Sequence, residues 1–352
     1  MSDSQYSVVS SSCGLLRDFM DPYIPSPRWK GRHRMTLYSW GRPRQLPLLP
    51  PPTPRYFDIS SDVRLLAHCH WHPTPWECPT LVIFHGLEAS SEAHYVRGLA
   101  DKAFSAGFNA VRLNQRNCGG TEHLSTGLYH SGLTEDPAAV IRELIEVDGL
   151  PAIAVAGYSL GGNLALKLAG DYGPAAPPEL RAICAVSPTM DLERCVVALE
   201  AAENRLYEWN FVRNLKARMR RKARLFPGLY PLNGLRCIKT VRAFDEAFTA
   251  PHHGFRDAHD YYHRASALRV IDKIRVPTLI ISANDDPFVP TDPFRDPTVT
   301  SNRAVTVVIT AGGGHCGFVS ESRRYDDDGY WAERAVVEFV KAQTEKIRRN
   351  EE

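Results

Sequence analysis

From residue 63 onward the chain alternates between short, mostly apolar runs and longer segments whose apolar residues recur every three or four positions. The stretch 63–71 alternates apolar and polar residues as a strand with one buried face does, and 80–84 is a short apolar run ending in His85 and Gly86. Further apolar runs stand at 108–113, 152–156, 182–186, 278–281 and 305–309, several of them rich in valine and isoleucine. Between most of them the spacing predicts helices over 93–106, 134–147 and 160–169, with a last one over 330–348. Short strands that are apolar throughout and separated by helices belong to a largely parallel sheet covered on both faces.

The alternation stops between about residues 190 and 270, where helical stretches over 192–207 and 211–224 appear before the next strand. This segment reads as an insertion after about the sixth strand, folded as a helical cap over the C-terminal edge of the sheet, where open α/β sheets place their ligands. The expected organisation is an N-terminal extension packed on the core (1–55), a first part of the core (56–189), the cap (190–270) and a second part of the core (271–352). Within the extension, Leu46 to Pro54 is proline-rich and reads as a surface strap rather than as a ligand for a polyproline-binding domain.

Composition narrows the function classes. The 352 residues are 43% hydrophobic and 23% charged, enough for a sizeable core. Lys and Arg number 42 against 40 Asp and Glu, a formal charge of +2, which gives nucleic acid no global attraction. Eight cysteines, at 13, 69, 78, 118, 184, 195, 237 and 316, show neither a C-x-x-C pair nor zinc-finger spacing, as a reduced, cytoplasmic protein would. The N-terminus lacks a basic n-region and a sustained apolar stretch, so no signal peptide is expected. No run reaches the roughly 20 apolar residues that span a bilayer. Any membrane contact is therefore expected to be peripheral, at the inner face.

The basic residues are unevenly spread. Arg213, Lys216, Arg218, Arg220, Arg221, Lys222 and Arg224 crowd one helix length, across which Phe211, Leu215, Met219 and Phe226 recur at helical spacing. The expectation is a cap helix packed by its apolar stripe with its cations in water; peripheral seating on anionic lipid is the alternative. His68, His70 and His72 occupy alternate positions, but same-face side chains on a strand diverge and no fourth ligand follows, so neither a metal nor a cofactor is expected.

The chemistry concentrates elsewhere. Gly157-Tyr158-Ser159-Leu160-Gly161 follows the run 152–156 and opens the helical pattern at 160, the strand, tight turn and helix that a nucleophile elbow requires. Flanking glycines let strand and helix approach while Ser159 takes a strained conformation that presents its hydroxyl. In such a fold an acid and then a histidine follow the serine. His315, in Gly312-Gly313-Gly314-His315-Cys316-Gly317, comes just after the last strand and is the expected base. Asp285 and Asp286 lie just beyond the strand at 278–281. Asp286 is the expected acid, because Ala283 and Val289-Pro290 fall around it in the usual pattern; Asp285 then serves as a turn or capping residue. Two backbone amides should hold the oxyanion: that of Leu160, next to the nucleophile, and that of Leu87, in the loop after residue 84. His85, which precedes the nucleophile, is expected to shape that loop.

Taken together, Phe84-His-Gly-Leu-Glu88, Arg116-Asn-Cys-Gly-Gly120, Tyr129-His-Ser-Gly132, the segment 157–163, Asp260-Tyr-Tyr262, Pro277-Thr-Leu-Ile280, Asp285-Asp-Pro287 and Gly313-Gly-His-Cys-Gly-Phe318 resemble the YheT-like branch of the α/β-hydrolases, which also holds eukaryotic proteins of the ABHD1/ABHD3 type. The likeness runs over roughly residues 20–335. It implies an α/β-hydrolase fold with a helical cap and a triad on Ser159, Asp286 and His315. Two positions depart from the usual pattern: Ala89 and Asn117 stand where relatives carry glycine.

The resemblance implies a serine carboxylic ester hydrolase, an esterase or lipase, acting on a hydrophobic acyl ester such as an acylglycerol or phospholipid. Acyl transfer to an alcohol through the same acyl-enzyme is the alternative reaction, and an interaction protein that kept only the fold is the alternative of another class.

Overall fold

The computed structural model describes residues 6–8, 21–321 and 328–348; Cys13 lies outside them. Nine strands are described: β1 (Tyr6–Val8), β2 (Thr53–Ser60), β3 (Val63–His70), β4 (Thr80–Phe84), β5 (Asn109–Leu113), β6 (Ile153–Tyr158), β7 (Leu180–Val186), β8 (Thr278–Ala283) and β9 (Val305–Thr310). They form one sheet in the order β1-β9-β8-β7-β6-β4-β5-β3-β2. β4 to β9 pair in parallel, while β2, β3 and β1 join antiparallel at the two ends.

The apolar runs are explained by burial on both faces. Val82, Phe84, Ile153 and Val155 enter one core, and Leu81, Ile83, Ala154 and Ala156 enter the other. The eight described helices of eight or more residues are α1 (Arg32–Gly41), α2 (His94–Ser105), α3 (Glu135–Glu146), α4 (Leu160–Tyr172), α5 (Leu192–Leu199), α6 (Arg205–Leu225), α7 (Ala258–Ala265) and α8 (Trp331–Arg348). Val140 and Ile141 of α3 and Leu164 and Leu168 of α4 pack on the first face. Val96 and Leu99 of α2 and Trp331 and Val336 of α8 pack on the second. Each such side chain, fully buried, contributes about 1.5–3 kcal/mol.

The helical insertion lies between β7 and β8 and holds α5, α6, a helical stretch over 241–252, and α7. It thus follows the seventh strand, because β1 and β2 escape a search for apolar runs. β2 begins at Thr53, inside the segment expected to be an irregular strap; Pro54 is tolerated there because β2 is the last strand of the sheet and only Phe57 among its residues is buried. The single helix expected over 192–207 is two, broken at 200–204, where the Asn204 side chain donates to Ala198 O (2.9 Å) and Pro287 O (2.7 Å). Among the described residues no helix is long and apolar enough to cross a membrane.

Candidate active site

β6 ends at Tyr158 and α4 starts at Leu160, leaving Ser159 alone to turn the chain. Its φ of 54° and ψ of −119° lie in a region that non-glycine residues avoid, so the turn holds strain that the packed strand and helix must sustain. The neighbouring glycines permit it. A β-carbon at Gly157 would stand 2.0 Å from Gly161 O, and one at Gly161 would stand 2.5 Å from His85 O. No larger residue fits either position without moving backbone.

The two loops beyond β8 and β9 bring an acid and an imidazole to this serine. Ser159 Oγ lies 2.9 Å from His315 Nε2. On the other side of the ring, His315 Nδ1–H donates to Asp286 Oδ2 at 2.9 Å, which leaves Nε2 as the acceptor for the serine proton. The Asp286 side chain is fully buried, and its other oxygen accepts the amides of Phe288 (3.1 Å) and Val289 (3.0 Å), so its direction is fixed. Burial disfavours the charged imidazole, but the Asp286 carboxylate, helped by Cys316, outweighs it and raises the His315 pKa above the ordinary histidine value. Asp285 does different work: one of its oxygens accepts the amides of Gly313 and Gly314 at 2.8 Å each and ties the glycine-rich loop to the end of β8.

Leu87 lines the serine's cavity, and Leu160 follows Ser159 at the first position of α4. Among the described hydrogen bonds neither backbone amide donates to a protein acceptor. His85 is buried beneath this loop, with Nε2 accepting the Gln115 amide at 3.1 Å, and burial pushes its pKa down to about 4, so it is neutral and shapes the loop. Asn117 adopts φ 64°, a conformation asparagine tolerates better than most residues.

Ser159 and His315 open on a cavity of about 590 Å³ lined largely by Leu37, Trp40, Leu87, Leu206, Tyr207, Phe211 and Phe288. The cap contributes Leu206, Tyr207 and Phe211 from α6. The far end of that helix corrects one expectation. Arg218 and Lys222 are buried rather than in water: Arg218 pairs with Glu88 at 2.8 Å, and Lys222 donates to the carbonyls of Glu122 and Ser125. Arg213, Arg220, Arg221 and Arg224 are exposed. The three strand histidines also have separate surroundings: His68 meets Ser91 Oγ at 2.7 Å, His70 accepts from Arg112 Nε at 3.1 Å, and His72 stacks on Phe104.

The residue that sequence reasoning missed is Thr36. It sits on α1, whose few buried positions, Met35, Thr36 and Ser39, make no apolar stripe. Its Oγ accepts the His315 amide at 2.8 Å and donates to Arg32 O at 2.6 Å. α1 is in turn held to the cap by Arg32 with Glu203 (2.5 Å) and by His33 stacked on Tyr207. The N-terminal extension is thus a wall of the cavity. Thr36→Val leaves the His315 amide without its acceptor and is expected to destabilise the fold by about 1–3 kcal/mol in urea unfolding, whereas Thr36→Ser, which keeps the hydroxyl, stays close to wild type.

Comparison with known proteins agrees with this architecture. Residues 79–322 match the family described as alpha/beta hydrolase fold. YheT of Escherichia coli (strain K12) is 34% identical over 275 residues, covering 77% of this chain and 79% of that protein. Phospholipase ABHD3 of Mus musculus is 30% identical over 275 residues, covering 76% of this chain and 64% of the mouse protein. The crystal structure of 2,6-dihydroxy-pseudo-oxynicotine hydrolase superposes with a TM-score of 0.56 at 18% identity, over 84% of this chain and 68% of that one, a likeness of fold alone. The match over most of the sequence, on a mostly parallel sheet whose strained serine turn lies beneath a helical insertion, makes the chain a member of the α/β-hydrolase fold family.

Proposed function

We propose that the chain is a serine carboxylic ester hydrolase that cleaves hydrophobic acyl esters through Ser159, His315 and Asp286. The observation that carries this reading is the continuous chain of contacts, 2.9 Å from serine to imidazole and 2.9 Å from imidazole to carboxylate, opening on an apolar cavity. His315 Nε2 takes the Ser159 proton as Oγ attacks the ester carbonyl. The amides of Leu87 and Leu160 hold the oxyanion. His315 then gives that proton to the departing alcohol, leaving an acyl group on Ser159. Water enters, loses a proton to His315 and attacks the acyl carbon; collapse returns the proton to Ser159 and releases the acid. Asp286 stays ionised and supports the imidazolium at each step.

A lipid-like substrate is supported by the mouth of the cavity, where Leu37, Trp40 and Leu206 are 51%, 60% and 81% exposed. These side chains, with the exposed arginines of α6, suit an ester presented from a lipid phase by peripheral contact. The name of the mouse relative, a phospholipase, points the same way. Each methylene transferred from water into an apolar cavity is worth about 0.8 kcal/mol, about fourfold in kcat/KM. With p-nitrophenyl esters of increasing chain length, kcat/KM is therefore expected to climb about fourfold per methylene until the cavity is full. A maximum at acetate would contradict the lipid reading. Added alcohol then separates hydrolysis from transfer: new ester among the products marks an acyltransferase.

A further inference from the structure

The amide assigned to the oxyanion, that of Leu87, is bracketed by two held neighbours. The Gly86 amide donates to Tyr95 Oη at 3.0 Å, and the Glu88 amide donates to Tyr129 Oη at 3.1 Å. Glu88 adopts φ 54°, an uncommon conformation for a residue with a β-carbon, so this loop does not hold its shape by local preference. Its carboxylate supplies the restraint. Glu88 Oε1 accepts from Tyr129 Oη at 3.0 Å and lies 2.8 Å from Arg218, whose guanidinium stands 4.5 Å above the Tyr129 ring. The Arg218 and Glu88 side chains are only 3% and 6% exposed.

An ion pair so dry leaves an uncompensated charge when either partner goes, and Arg218 Nε and Nη1 have no hydrogen-bond partner among the described residues that could replace Glu88. Arg218 belongs to the cap, whereas Glu88 and Tyr129 belong to the core. We propose that Tyr129, Glu88 and Arg218 are positioning residues that hold the Leu87 amide toward the oxyanion and make this half of the oxyanion hole depend on docking of the cap helix. This rests on the ester hydrolase reading above. Binding of substrate in the ground state needs none of the three; stabilisation of the oxyanion needs all of them.

Tyr129→Phe tests this with the smallest change, since the ring under Arg218 remains and only the hydroxyl is lost. The expected result is a fall in kcat of about 10- to 100-fold with KM changed by less than about threefold. A trifluoromethyl ketone, which forms an oxyanion on Ser159, should lose affinity by the same factor as kcat, while the matching secondary alcohol, which forms none, binds as to wild type. Glu88→Gln and Arg218→Met each strand a buried charge, so the double variant is expected to refold better than either single one but to recover no kcat. Ser159→Ala run alongside separates the two readings. If it is inert while Tyr129→Phe keeps wild-type kcat and ketone affinity within about twofold, the positioning role is overturned and the triad stands. If Ser159→Ala itself turns over ester, both fall.

Discussion

Ser159→Ala is expected to lower kcat for p-nitrophenyl ester hydrolysis by about a millionfold, with folding retained. The magnitude follows from the proposed mechanism, in which the three side chains act as one unit: without the hydroxyl, His315 would have no nucleophile to activate, and what would remain is binding and the oxyanion stabilisation proposed for the amides of Leu87 and Leu160. Folding should survive because alanine at this turn keeps the backbone bond from the residue 159 amide to Val186 O, and neither Gly157 nor Gly161 is touched. Circular dichroism and urea unfolding check that point. Ester turnover, read with a fresh preparation of each protein, checks the first.

Asp286→Asn should lower kcat by about ten thousandfold and also move the pH profile. Asparagine can present an N–H to His315 Nδ1, which favours the tautomer that carries its proton on Nε2 and cannot accept one from Ser159. The sign of the pH effect is set by the same contact. In the proposed mechanism turnover needs neutral His315 and fails as pH falls through its pKa. In the wild type the Asp286 carboxylate raises that pKa against burial, which lowers it. Removing the charge leaves burial opposed only by the neighbouring Cys316, so the acidic limb of kcat/KM moves to lower pH. A limb that stays in place or moves up would mean that Asp286 does not bear on the ring as its 2.9 Å contact implies.

What was legible in the sequence follows from what local patterns can encode. β4 to β9 declare themselves because each strand is buried on both faces and is mostly apolar, the buried Asn109 and Arg112 of β5 being held by hydrogen bonds. The serine turn declares itself because Gly157 and Gly161 are needed at fixed offsets by close backbone approach. The choice between Asp285 and Asp286 rested on a neighbouring Val-Pro pattern, and Asp286 is the one that meets the imidazole. α1 was illegible because a helix with three buried residues among ten leaves no periodic stripe; its place is fixed by partners far away in sequence, Glu203, Tyr207 and His315. The same holds for Arg218 and Lys222. A run of cations on a helix looks like a solvated face, and only the return of Glu88 and Ser125 to that helix, about a hundred or more residues away in sequence, shows that two of them are inside.

Covalent capture reads directly whether Ser159 is an activated nucleophile. Wild-type protein, its Ser159→Ala variant and its His315→Ala variant are treated with an alkyl fluorophosphonate and followed by intact-protein and peptide mass spectrometry. The predicted result is one adduct on wild type, mapped to the peptide carrying Ser159, no adduct on Ser159→Ala, and strongly slowed labelling of His315→Ala. Folded wild-type protein that takes up no label, or a Ser159→Ala variant that labels as fast as wild type, would contradict it.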